Sequence, residues 1–129
     1  MPRNPLAIAG TSIDCADPAE LARFYLALLG GELLWENSES VGIRTQSGLN
    51  IVAQKVTNYI PPQWPSTSIV HFDLDAGADL TDSVAYAVEC GAKEAAEQPD
   101  PRWRVLLDPA GHPFCITTEV YDGRPEAIA

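Results

Sequence analysis

The sequence predicts an α+β chain of two βαβββ modules, and three observations carry that expectation. Two segments have the apolar periodicity and end signals of helices, each has one strand-like run before it and three after, and the spacing repeats. Gly10 to Gly30 spans 20 residues and His71 to Gly91 spans the same 20, so the two halves share one register.

The first helix lies in DPAELARFYLALLGG. Asp17 is placed to cap it, Pro18 suits a first helical position where a missing N–H costs nothing, and Glu20 completes a capping-box pattern. Leu21, Phe24, Tyr25 and Leu28 share one face, and Gly30 or Gly31 ends the helix. The second lies in ADLTDSVAYAVECGA, starting near Asp79, with Leu80, Val84, Ala87 and Val88 on one face and a stop at Gly91.

Strand-like runs complete each module: GTSIDC, ELLWE, VGIRTQ and LNIVAQKV in the first, IVHFDL, the weak KEAAE, RWRVLLD and PFCITTEV in the second. Ser-Gly in TQSGLN and Ala-Gly in DPAGHP mark corresponding hairpin turns before each last strand. The modules are expected at about 6–56 and 68–120, joined by a Pro-rich linker at about 57–67 that could lie over a cleft, with a loose tail at 121–129.

Composition narrows the function classes. An apolar content of 46% in 129 residues suits one folded domain, and no stretch approaches the length of a membrane span. A formal charge of −10 without any Lys/Arg cluster disfavours nucleic acid and anionic membranes as partners. The N-terminal stretch lacks the apolar run and cleavage site of a secretory signal, and Cys15, Cys90 and Cys115 form no CxxC pair. A cytoplasmic protein with reduced thiols is expected. No Walker loop, GxGxxG, GxSxG or HExxH occurs, so phosphoryl transfer, nicotinamide chemistry and serine hydrolysis lack sequence support.

The order of ADPAELARFYLALLG, WPSTSIVHFDL and WRVLLDPAGHPFCI, spaced as above, resembles the glyoxalase-like branch of the vicinal oxygen chelate superfamily over residues 10 to 120. The resemblance implies curved mixed sheets forming a half-open barrel with the helices outside, a ligand cleft within, and a homodimer. It also implies, for metal-dependent members, four His/Gln and Glu ligands on the first and last strand of each module. Those positions fall here on Gly10, Val52 (within one or two residues), His71 and Cys115, of which only His71 is a usual ligand. No metal cofactor is therefore expected, a divalent transition metal held by His71 and Cys115 being the alternative.

Strand alternation supports the mapping. Leu49, Ile51 and Ala53 make a helix-side face, leaving Asn50, Val52 and Gln54 toward the cleft. The same rule sends Phe114 and Ile116 to the helix and turns Cys115, Thr117, His71 and Asp73 inward. His71 and Asp73 are the candidate acid and base, or joint ligand holders. Gln54, Trp64, Arg104, Cys115 and Thr117 are candidate ligand contacts, with Trp64 as the lid and Arg104 or Arg44 able to clamp an anion. Each has a plainer reading: a hydrogen-bonded histidine, a small buried thiol, core or interface aromatics, surface arginines. His112, in the AGHPF turn, reads as an exposed structural residue.

Two functional readings follow. One is a protein that binds an apolar or aromatic metabolite or antibiotic at a degenerate metal site. The other is an enzyme, either a metal-dependent lyase or dioxygenase with a rearranged site, or a metal-free isomerase or cyclase using His71 and Asp73. A purely structural or partner-binding domain is the third possibility.

Overall fold

Both helices form where their caps direct. In this computed structural model, which describes residues 4–65 and 69–119, α1 (Pro18–Leu29) begins with the Asp17 carboxylate accepting from the Glu20 N–H at 3.1 Å. α2 (Leu80–Cys90) begins with Asp79 accepting from the Asp82 N–H at 2.9 Å. Gly30 and Gly91 close them with positive φ.

The chain divides into two units between Tyr59 and Ile60. In the first, β1 (Thr11–Cys15), β2 (Gly31–Glu36), β3 (Ser40–Thr45) and β4 (Asn50–Lys55) make an open sheet of order β1-β4-β3-β2, with β1 parallel to β4. In the second, β5 (Phe72–Asp75), β6 (Lys93–Glu94), β7 (Trp103–Leu107) and β8 (Pro113–Thr117) repeat it as β5-β8-β7-β6, with β5 parallel to β8. Neither sheet closes into a barrel. The proposed tail at 121–129, Val120 and linker residues 66–68 lie outside the described residues. No helix among the described residues is long and apolar enough to cross a membrane.

Each core lies between a sheet and its helix. Ile13, Cys15, Val41, Ile43, Ile51 and Ala53 are buried together with Leu21, Phe24 and Tyr25 of α1, whose two rings meet edge to face at 4.8 Å. In the second unit Leu106, Phe114 and Ile116 are buried, and α2 contributes Val84 and Ala87. Val88 departs from the expected core face and is 46% exposed, because β6 is only two residues long and offers little sheet beneath the helix's last turn.

Two glycines are sterically required. Gly31 has φ +117°, and a Cβ there would strike the Arg44 carbonyl, so the chain can pass from α1 into an edge strand only without a side chain. Gly111 (φ +92°) closes the last hairpin, with its N–H on the Asp108 carbonyl at 2.8 Å. The buried Asp108 carboxylate accepts from the Ala110 and His112 N–H groups at 2.9 and 3.0 Å, so DPAGH is a fixed turn that sets the register of β8.

The ranking of these contacts is testable by urea unfolding. Phe114→Ala, at a fully buried site between β8 and α2, should cost about 3–5 kcal/mol. Asp17→Ala should cost about 1 kcal/mol through loss of one cap.

Candidate functional site

Parallel pairing of β5 with β8 puts Asp73 directly beside Cys115 and Asp75 beside Thr117. Antiparallel pairing of β7 with β8 puts Trp103 beside Thr117 and Val105 beside Cys115. Paired residues share a face, so Asp73, Cys115, Thr117, Trp103 and Val105 all rise from the side of the sheet opposite the one that holds Phe114, Leu106 and Ile116. His71, two residues before Asp73, joins them.

A cavity of about 230 Å³ opens on this face, with His71, Asp73, Cys115 and Thr117 in its floor and Trp64, Pro99 and Trp103 in its walls. Both tryptophans pack against a small cluster of Ala95, Val105 and Cys115. Trp64 is oriented by its indole N–H, which donates to the Glu97 carbonyl at 3.3 Å. The Thr117 hydroxyl donates to the Arg102 carbonyl at 3.4 Å and accepts from the Glu119 N–H at 3.0 Å.

The floor is organised around one carboxylate. The His71 Nδ1 lies 3.0 Å from the Asp73 Oδ1, the two side chains being 33% and 25% exposed. The Cys115 thiol, 7% exposed, is hydrogen-bonded to the same carboxylate. Burial first, then the adjacent Asp73 charge and hydrogen bond, push the Cys115 thiol up to about 11. At neutral pH it is a protonated donor to Asp73 and a poor nucleophile.

The irregular segment between β6 and β7 is held by Gln98, a residue that periodicity does not single out. Its Nε2 donates to the Ala95 and Val105 carbonyls, and its Oε1 accepts from the Val105 N–H, each at 2.8 Å. This side chain substitutes for strand pairing and places the neighbouring Pro99 at the cavity wall. Beyond it, Asp100 grips the Arg102 guanidinium at 2.8 and 3.0 Å, which holds the Asp100 carboxyl down at about 2. The guanidinium lies over the Trp103 ring, 5.0 Å from its centre.

The expected site residues thus divide. His71, Asp73, Trp64, Cys115 and Thr117 come together around one cavity. Arg104 does not join them: it pairs with Ile116 in register, faces α2, and donates to Glu94 at 2.8 Å. Its neighbour Trp103 takes the cavity position, a result the hairpin register about Ala110–Gly111 could have given. Gln54 belongs to the first unit, on β4 opposite Ser40 and Asp14. Arg44 is half exposed and donates to the Asn50 side chain at 3.0 Å.

The donor set for a metal can be tested residue by residue. Thr11 pairs with Ile51 as Phe72 pairs with Phe114, so Gly10 occupies the place of His71 and Val52 that of Cys115. Neither carries a donor atom, and the four-position ligand set expected by resemblance does not fit this chain. His71, Asp73 and Cys115 have donor atoms within 4.8 Å of one another, but these atoms are already engaged with each other and the thiol keeps its proton.

The sequence pattern of the glyoxalase-like domain family matches residues 10–117. No curated protein matches the chain at a significant level. Among solved structures, a fosfomycin resistance protein, FosX, from Mesorhizobium loti has a TM-score of 0.64 at 12% identity, covering 88% of this chain and 92% of its own. A glyoxalase/bleomycin resistance protein/dioxygenase family enzyme from Burkholderia phytofirmans has a TM-score of 0.63 at 20% identity, covering 85% and 97%. A lactoylglutathione lyase from Agrobacterium tumefaciens has a TM-score of 0.59 at 17% identity, covering 89% and 95%. Likeness at these identities is likeness of fold.

The state of the floor is open to thiol chemistry. The alkylation rate of Cys115, followed by mass spectrometry, should still climb beyond pH 10, with a midpoint near 11. Asp73→Asn should move that midpoint down, because it removes a charge that opposes the thiolate. A midpoint near the ordinary thiol value of about 8.5 in the unmodified protein would contradict the arrangement.

Proposed function

The chain belongs to the glyoxalase-like domain family of the vicinal oxygen chelate superfamily, and from that premise we propose that it binds a small apolar or aromatic molecule, a metabolite or an antibiotic, at a site whose metal ligands have degenerated. The observation that carries this reading is the cavity walled by Trp64, Pro99 and Trp103 above a small polar floor. Apolar walls with a few convergent polar groups are the usual make-up of a small-molecule site. Fosfomycin resistance proteins among the similar structures support an antibiotic as one ligand class.

Binding in this account rests on the walls. Trp64→Ala should weaken a ligand found by tryptophan-fluorescence quenching by about 10-fold or more, the scale of one lost aromatic contact surface. His71→Ala should leave most of the affinity. Equal affinity in Trp64→Ala and the unmodified protein would sink the reading.

A second reading is favoured by the 3.0 Å contact between His71 and Asp73. A carboxylate on Nδ1 fixes the imidazole so that Nε2 can take or return a proton, the arrangement a metal-free isomerase or cyclase needs. Under that reading His71→Ala lowers turnover by about 10²-fold or more while binding survives. Turnover unaffected by the substitution would remove it.

Metal retention separates both from a metalloenzyme. After incubation with zinc, nickel, manganese or ferrous iron and desalting, elemental analysis should find well under one equivalent. A full equivalent, lost in His71→Ala, would overturn the degenerate-site proposal.

A further inference from the structure

We propose that Gln98, which does not itself line the cavity, is a positioning residue for its ligand: its side-chain amide holds Trp64 and Pro99 in place as a binding wall. The inference rests on the small-molecule reading above and adds a residue that controls affinity from behind the wall.

The need for such a residue begins at Val105. β6 ends at Glu94, the Ala95 N–H still reaches the Val105 carbonyl at 3.0 Å, and residues 96–102 then run without strand pairing. Val105 is fully buried, and with the neighbouring strand ended its N–H would lie in an apolar surrounding with no partner. Gln98 supplies one. Its Oε1 accepts from the Val105 N–H, and its Nε2 donates to the Val105 and Ala95 carbonyls, each bond 2.8 Å long. One N–H facing one end of the amide and two carbonyls facing the other dictate its orientation.

The wall hangs on the residues around this amide. Glu97, immediately before Gln98, offers the carbonyl that takes the Trp64 indole N–H at 3.3 Å, and Pro99, immediately after it, is itself a lining residue. Ala95 and Val105, the two residues that Gln98 bonds, belong to the cluster on which Trp64 packs. The far end of the segment is fixed separately, by Asp100 on the Arg102 N–H and guanidinium and by Trp103 in register with Thr117. Gln98 therefore governs the Trp64 and Pro99 side of the cavity, and β7 governs the Trp103 side.

The chemistry of an amide is specific here. Gln98→Ala removes all three bonds. Gln98→Glu keeps the length, but an ionised carboxylate brings an oxygen against two carbonyl oxygens, and only its protonated form has a hydrogen to donate. In that setting the introduced carboxyl should titrate above the ordinary value of about 4.3, holding the wall when protonated and releasing it when ionised.

Two measurements on the full chain test this assignment. The first needs no ligand and follows the indole N–H signals in ¹H–¹⁵N spectra. In Gln98→Ala the Trp64 signal should move toward that of a solvent-bonded indole, while Trp35, bonded to Ser40 at 2.9 Å in the first unit, stays in place and reports an intact fold. In Gln98→Glu the Trp64 signal should approach its native position as pH falls through the introduced carboxyl and leave it as pH rises. The unmodified protein, which keeps Glu97 and Asp100, should lack that step. The second measurement is calorimetric titration with 2-naphthol. Gln98→Ala should weaken binding toward the loss of about tenfold expected of Trp64→Ala, and in a Trp64→Ala background it should add little, because it acts through that ring. An unmoved Trp64 signal in both Gln98 variants, or a loss of affinity equally large with and without Trp64, would overturn the assignment. Failure of 2-naphthol to bind the unmodified protein would sink the aromatic-cavity reading, and the indole signals would still decide whether Gln98 holds the wall.

Discussion

The parallel pairing of the first and last strand in each unit is the constraint on which the rest depends. β1 beside β4, and β5 beside β8, place the crossover helix on one face of each sheet and leave the other face for different residues. Because side chains alternate strictly, that single pairing decides that Phe114 and Ile116 go to the core and Cys115 and Thr117 to the cavity. The turn built on Asp108 and Gly111 then brings β7 back at a fixed register, which adds Trp103 and Val105 to the same face.

The same geometry, repeated in the first unit, carries different chemistry. Where the second unit presents His71 and Cys115, the first presents Gly10 and Val52. A glycine at position 10 also fits tightly, since a Cβ there would stand 3.0 Å from the Asn50 carbonyl oxygen. The strand pairing is the same in both units, and the polar side chains among these four positions are in the second. Asp73 organises them by accepting from both neighbours, at the expense of the thiol's acidity.

Much of this was legible in the sequence because the signals were local and redundant. Asp17, Asp79, Gly30 and Gly91 mark the helix ends by mechanisms that need no tertiary information. Alternation on β8 correctly separated Phe114 and Ile116 from Cys115 and Thr117, and spacing alone brought His71 and Asp73 to the same floor. Arg104 reads from sequence equally as an anion clamp or a surface arginine, and it is the hairpin register that turns it to the face of Ile116 and gives the cavity position to Trp103. Gln98 and Pro99 were out of reach: they act from an irregular segment whose course is set by hydrogen bonds to Ala95 and Val105. No periodic pattern encodes such a segment.

The account turns on Asp73 as the acceptor that fixes both His71 and Cys115, and long-range ¹H–¹⁵N correlation of the His71 imidazole measures that directly. Nδ1 should be protonated in the unmodified protein, with Nε2–H imidazole gaining population in Asp73→Asn. An unprotonated Nδ1 in the unmodified protein, or a tautomer indifferent to the substitution, would contradict the account.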